Sequence, residues 1–136
     1  MNRLLLLAPL LLLVPAAARA DPCEGRLPSR PGETFSGVVR YVGDGDGLCV
    51  GPSSDPAGWI EVRLSDFDAP ELNAPGGREA RDRLARLVRG RVLGCVAVRG
   101  RSGRVVVYDR VIAACRLNGR AVGDLLRAAG GVEGGR

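Results

Sequence analysis

Apolar and polar residues alternate along much of the chain after residue 36, and this alternation predicts short β-strands. In the clearest run, residues 59–65, apolar side chains occupy one face while Glu61, Arg63 and Ser65 occupy the other, open face. Glycine and aspartate residues at 43–47 predict a turn between two strands. The segments predicted as strands are 37–42, 48–50, 59–65, 92–99 and 105–116.

Two segments have the periodicity of an amphipathic helix. In residues 78–89 the apolar side chains form one stripe, arginines cover the rest, and Gly90 is placed to end the helix. Residues 122–129 predict a second, shorter helix. The predicted order of elements is three strands, a helix, two strands and a helix. This order favours a small antiparallel barrel capped by a helix, which is an α+β fold but mainly β. A parallel βαβ sheet is disfavoured because only one helix lies between strands.

The first 20 residues have the pattern of a secretory signal peptide, with cleavage predicted after Ala20. The apolar run is shorter than the ~20 residues that span a bilayer, although an anchor helix or a lipoprotein linkage at Cys23 stays open. We therefore expect a secreted or periplasmic protein, without stable membrane association after cleavage and monomeric. The predicted segments are a signal peptide (1–20), an irregular N-terminal segment (21–35), one barrel domain (36–130) and a flexible tail (131–136).

All four cysteines lie after the predicted cleavage site, and an even number in an exported chain indicates disulfides. Four cysteines allow three pairings. Because Cys95 and Cys115 lie in β-like runs that should be neighbours, we favour Cys95–Cys115, which leaves Cys23–Cys49.

Every one of the 20 basic residues is arginine, and the chain contains no histidine. Removal of Arg3 and Arg19 with the signal peptide leaves 18 arginines against 15 acidic residues, a net charge of +3. A mildly basic surface is compatible with a polyanionic partner. The absence of histidine excludes Ser–His and Cys–His nucleophiles and histidine-rich zinc sites. Any catalysis would use carboxylates, arginines and a metal ion that prefers oxygen.

Four short segments carry candidate chemistry: Asp44-Gly45-Asp46-Gly47, Arg63, Asp68-Ala69-Pro70-Glu71 and, within the last β-like run, Tyr108-Asp109-Arg110. Aspartate oxygens suit Ca²⁺, arginine forks suit a phosphate, and a glutamate can take a proton from water. An EF-hand is excluded, because a loop starting at Asp44 would place Cys49 where that motif needs glycine.

Taken in chain order, these segments resemble the staphylococcal nuclease (thermonuclease-like) family over about residues 37–130. The resembling segments are Asp44 to Gly47, Arg63 to Glu71, Arg78-Glu79-Ala80, Tyr108-Asp109-Arg110 and Leu125 to Ala128.

The resemblance implies an OB-type five-stranded barrel and a nuclease that hydrolyses DNA, RNA or both. It implies Ca²⁺ held by Asp46, Asp68 and the Ala69 carbonyl, with Arg63 and Arg110 on the phosphate. Glu71 would activate the attacking water. We expect a single-stranded or denatured substrate, with Tyr108 and Trp59 as the candidates for stacking on bases.

Three features depart from the family pattern. Gly47 and Ala69 stand where the family often has threonine, and Asp109 stands where glycine is usual. The later helix and tyrosines that contact substrate in the type protein are missing from this sequence. Two other functions are therefore kept beside the nuclease: a non-catalytic OB-type module that binds nucleic acid or another anion, and a disulfide-stapled structural protein of the cell envelope.

Overall fold

The computed structural model of the chain describes residues 21–134. The predicted signal peptide and residues 135–136 lie outside this range. Residues 21–33 are irregular and lead into the first strand at Thr34. The elements are β1 (Thr34–Val42), β2 (Gly47–Gly51), β3 (Ile60–Leu64), α1 (Gly77–Val88), β4 (Val92–Ala97), β5 (Val106–Val107), β6 (Arg110–Leu117), β7 (Arg120–Ala121) and α2 (Val122–Ala128), with a 3₁₀ turn at Pro56–Gly58.

Five strands form a closed barrel in the order β3-β2-β1-β4-β6, and β3 pairs with β6 to close it. The long strand β1 pairs with β2 through its second half and with β4 through its first half. A register irregularity between Val39 and Tyr41 lies within the half of β1 that pairs with β2. Bulges of this kind bend and twist a strand, which helps a small barrel to close. The predicted OB-type five-stranded barrel is therefore confirmed.

The barrel interior is filled by apolar side chains from every long strand, and α1 covers it. Ala80, Leu84 and Val88 form the buried stripe of α1, as the periodicity predicted. The helix begins and ends within one residue of the predicted bounds, and α2 ends one residue earlier than predicted.

Two details differ from the sequence prediction. The barrel was expected to be antiparallel, but the closing pair β3–β6 is parallel. The run 105–116 was expected to be continuous, but Tyr108 and Asp109 form a turn between β5 and β6. The prediction that Tyr108 lies within a strand is therefore wrong.

Both predicted disulfides are present, Cys23–Cys49 and Cys95–Cys115. Cys95 and Cys115 are directly opposite each other on β4 and β6. The prediction that the two β-like runs are neighbours, on which this pairing was based, is therefore confirmed. Cys23–Cys49 ties the irregular N-terminal segment to β2. Within residues 21–134, neither helix has the length and apolar character needed to cross a bilayer.

Candidate active site

The turn between β1 and β2 fixes the position of Asp46. The Asp46 amide donates to Asp44 Oδ1 at 3.1 Å, and its carbonyl accepts from the Leu64 amide at 2.8 Å. A side chain at Gly45 would place its Cβ 2.5 Å from the Ala69 Cβ and 2.7 Å from the Ala80 Cβ. Glycine is therefore required here for the turn to approach both the following loop and α1. The result is a carboxylate at Asp46 that is 1% exposed.

Arg63 connects the two aspartates that the sequence singled out. Its Nη2 atom lies 3.2 Å from Asp46 Oδ2 and 2.5 Å from Asp68 Oδ1. Its Nη1 atom donates to the carbonyls of Leu64 and Phe67 at 2.5 and 2.9 Å. These hydrogen bonds and ion pairs offset the free-energy cost of burying the guanidinium. The alternation of the strand had placed Arg63 on an open face. That placement is wrong, because Arg63 is only 8% exposed.

The two carboxylates have opposite electrostatic environments. Burial, followed by the negative charge of Asp44, raises the pKa of Asp46 to about 6, although Arg63 and the Ala69 amide act in the other direction. Burial also acts to raise the pKa of Asp68, but the hydrogen bonds and charges of Arg63 and Arg101 outweigh it and hold that pKa below its ordinary value. Asp46 is therefore the carboxylate that would gain most from a further nearby cation.

Ala69 contacts Asp46 through its backbone amide, and not through the carbonyl that the predicted ligand set uses. The Ala69 amide donates to Asp46 Oδ2 at 2.8 Å, and the residue is 2% exposed. Asp46 and Asp68 thus surround one positively charged nitrogen with carboxylate oxygens, the type of donor that Ca²⁺ prefers. The chemistry of these residues fits a calcium site that would also need Arg63 to move and water or carbonyl oxygens to complete the shell.

A cavity of about 230 Å³ opens beside this cluster. Its lining comprises Arg63, Leu64, Ser65, Asp68, Gly100, Arg101, Ser102, Val107, Tyr108, Arg110 and Ile112. The structure therefore brings Arg63 and Asp68 to one surface with Tyr108 and Arg110, which come 40 or more positions later in the sequence. Tyr108 is 87% exposed at the rim, in a backbone conformation with φ of 55°.

Glu71 lies at the start of the exposed loop that precedes α1. Its carbonyl accepts from the Ala74 amide at 2.9 Å, and a Cβ at Gly77 would lie 2.0 Å from that carbonyl oxygen. The Glu71 backbone is therefore fixed by the Ala74 amide and by close packing against Gly77, the first residue of α1. The side chain is exposed and is not among the described residues that line the 230 Å³ cavity. Its role in activating water stays a prediction.

Arg110 also faces a second, smaller depression on the far side of the turn. That depression is lined by the acidic residues Asp21, Asp44 and Glu61 and by the Cys23–Cys49 disulfide. Burial, together with the charge and hydrogen bonding of Asp21, raises the pKa of Glu61 to about 7, although the charge of Arg110 opposes the shift. The two sulfurs are bonded to each other, so this group is no thiolate metal site.

Sequence reasoning missed three of these groups. Arg101 forms an ion pair with Asp68 from a loop 33 residues away, and its one sequence signal is an arginine between turn-forming glycines. Glu61 counted only as an open-face residue of a strand. In the segment predicted as a flexible tail, Glu133 accepts from the Asp68 amide at 3.2 Å, and the Gly134 amide donates to the Asp68 carbonyl at 2.9 Å.

Trp59, one of the two stacking candidates, lies away from the 230 Å³ cavity. Its ring covers Gly51, where a Cβ would meet the ring at 2.4 Å, and its indole N–H donates to the Ser53 carbonyl at 2.8 Å. Among the described aromatic residues, Tyr108 lines the cavity.

Neither the scan against models of known protein families nor the search of curated proteins found a match for this chain.

Proposed function

We propose that the protein is an exported calcium-dependent nuclease that hydrolyses phosphodiester bonds of single-stranded DNA, RNA or both. The observation that carries the proposal is the convergence of Asp46, Arg63 and Asp68 beside a cavity that also contains Arg110. These residues are distributed over 65 positions of the chain, and nothing in packing alone requires buried charge at this point. The resemblance of the motif segments to staphylococcal nucleases supports the same activity.

The roles of the side chains are those that the family resemblance implies, and the shared cavity supports the roles of Arg63, Asp68 and Arg110. Asp46, Asp68 and the Ala69 carbonyl would hold Ca²⁺, whose chemistry at such a site is to neutralise charge that develops on the phosphate. Arg110 would present its guanidinium to the phosphate from the cavity wall. Arg63 orients both aspartates and would turn toward the phosphate only after another cation replaces it. Glu71 would accept a proton from the attacking water.

Gly47 is a departure from the family pattern that the local geometry accommodates. A Cβ at this position would lie 2.8 Å from Asp44 Oδ1 and 3.9 Å from Arg110 Nη1. A larger residue would press on Asp44, whose carboxylate accepts a hydrogen bond from the Asp46 amide. Glycine therefore suits this close arrangement of turn and arginine.

Export is supported by the two disulfides, because such bonds persist in oxidising compartments. The amino-terminal pattern of residues 1–20 supports it independently.

The experiment is digestion of denatured DNA by residues 21–136, with added Ca²⁺ and with chelator. We expect cleavage only with Ca²⁺. Arg110→Ala and Glu71→Gln should each lose about 10²–10³ in rate, as when one charge-stabilising group is removed from an active site. Arg86→Ala and Glu79→Gln, exposed on α1, are the matched controls and should retain the wild-type rate. Full activity in Arg110→Ala or Glu71→Gln would contradict that residue's role.

A non-catalytic module that binds an anion is the second candidate. Two observations favour it: both terminal nitrogens of Arg63 are bound within the protein, and Glu71 lies outside the described cavity lining. Such a module would bind the same DNA with and without Ca²⁺ and leave it intact, so the same digestion experiment separates the two functions.

A further inference from the structure

The loop between β4 and β5 is an ordered turn that carries Arg101 to the cavity. The Gly100 amide donates to the Arg104 carbonyl at 2.8 Å, and the Gly103 amide donates to the Gly100 carbonyl at 2.9 Å. Arg99 adds a side-chain bond to the Gly103 carbonyl at 2.9 Å. A Cβ at Gly100 would overlap Ile112 Cδ1 at 2.2 Å, so the loop lies directly on β6. Its position is therefore set by backbone bonds and packing.

The side chain of Arg101 is 78% exposed, and its guanidinium pairs with Asp68 Oδ2. The other oxygen of Asp68 is bound by the buried Arg63. The Asp68 side chain is 25% exposed, but the guanidinium of Arg101 lies largely in water, and an ion pair with such an exposed partner contributes about 0–1 kcal/mol. Arg101 can therefore leave Asp68 for a stronger anion at little cost, whereas Arg63 has four partners to lose.

Three arginines and one carboxylate line the cavity, and a second carboxylate, Asp46, pairs with Arg63 behind the lining, so the arginines still outnumber the acidic groups. The terminal nitrogens of Arg63 are bound to two carbonyls and two carboxylates, so the other lining arginines, Arg101 and Arg110, are those we expect to meet an incoming anion, with Arg110 also bordering the acidic depression. At about 230 Å³ the cavity is smaller than the roughly 300–1,000 Å³ of pockets that enclose a drug-sized ligand. It fits one phosphate and part of its sugar, with the rest of a strand outside.

We propose that Arg101 is a phosphate-binding residue, which with Arg110 binds the backbone of a single-stranded nucleic acid and which neutralises Asp68 until another cation takes its place there. This inference rests on the proposed function, since it assigns the substrate contacts of the same cavity. It has two signatures. Loss of Arg101 should weaken the binding of a strand and strengthen the binding of Ca²⁺.

The first experiment measures binding of a fluorescein-labelled single-stranded oligodeoxynucleotide in chelator, at several salt concentrations. We expect Arg101→Ala to bind about 3- to 10-fold more weakly, and the slope of log K against log salt to fall by about 0.7, the value for one phosphate contact on a single strand. Arg101→Lys should restore the slope. Arg104→Ala is the control, because this arginine is exposed on the same loop but does not line the cavity.

The second experiment measures Ca²⁺ binding by calorimetry without nucleic acid. Removal of one positive charge beside Asp68 should tighten Ca²⁺ binding about three- to fivefold in Arg101→Ala, and Arg104→Ala should match the wild type. An arginine with a purely structural role would change the melting temperature but would leave the salt slope and the calcium affinity unchanged.

The outcomes separate this inference from the proposed function. An unchanged salt slope in Arg101→Ala overturns the assignment of Arg101, even if the wild type cleaves DNA. A reduced slope in a protein that cleaves nothing supports Arg101 as a phosphate ligand and removes the nuclease. A reduced slope of equal size in Arg104→Ala would also overturn the assignment, because it would reflect general surface charge.

Discussion

The replacement of Arg63 by methionine tests the cluster on which the proposed site depends. Methionine retains much of the aliphatic stem but removes the charge and every donor. Asp46 would keep its Ala69 bond and lose the guanidinium 3.2 Å from Oδ2, in a position that is 1% exposed. The Leu64 and Phe67 carbonyls would each lose a donor as well.

The expected cost is about 3–5 kcal/mol, which is typical when one partner of a buried ion pair is removed and the other charge stays buried. Since a domain of this size has roughly 5–15 kcal/mol of stability, the loss is a large share of the total. Arg81→Met is the matched control, because the Arg81–Asp82 pair is partly exposed and should contribute less than about 1 kcal/mol.

Urea denaturation followed by circular dichroism measures the free energy of unfolding. With a slope of about 1.5 kcal/mol per molar, the midpoint of Arg63→Met should fall by about 2–3 M. If Ca²⁺ replaces the guanidinium, saturating Ca²⁺ should raise the midpoint more in Arg63→Met than in the wild type. A loss below 1 kcal/mol, or equal calcium effects in both proteins, would refute this reasoning.

Three further predictions concern stability. Because burial and Asp21 raise the pKa of Glu61 from 4.5 to about 7, the folded protein retains a proton that the unfolded chain releases between these pH values. The free energy of unfolding should therefore fall as the pH rises from about 4.5 to 7, and it should fall less in Glu61→Gln; an identical slope in both proteins would contradict the pKa shift. Replacement of Cys95 and Cys115 by alanine opens a link across 20 residues and should cost about 3 kcal/mol in urea unfolding, whereas a cost below 1 kcal/mol would contradict the constraint. Glu133→Ala removes the hydrogen bonds from the Asp68 amide and from Arg127, which together contribute about 1 kcal/mol. The melting temperature should therefore fall by about 3–5 °C, and an unchanged melting temperature would show that this contact does not stabilise the fold.

The local elements could be predicted from the sequence because their signals are local. The apolar stripe of α1 and the alternation in β3 each lie within a dozen residues. The parallel pairing of β3 with β6 was not predicted, since periodicity identifies strands but not their partners across about 50 residues. The turn at Tyr108 was not predicted because Asp109 is the one turn-favouring residue in a run that is otherwise rich in β-branched residues.

The candidate site was predicted as a set of residues but not as a network. Alternation placed Arg63 among the polar positions of a half-buried strand, yet backbone carbonyls and two carboxylates allow its burial. The pairing of Arg101 with Asp68 depends on where two loops meet, and no local pattern encodes that distance.

The most direct test of the proposed calcium site and the proposed nuclease activity together is the initial rate of denatured-DNA cleavage as Ca²⁺ is varied, in the wild type and in Asp46→Asn. We predict a rate that rises with Ca²⁺ and saturates in the wild type, with at least about tenfold more Ca²⁺ needed in the variant, since one charged ligand is lost. Absence of cleavage at every Ca²⁺ concentration, or an equal rate in chelator, would contradict the account.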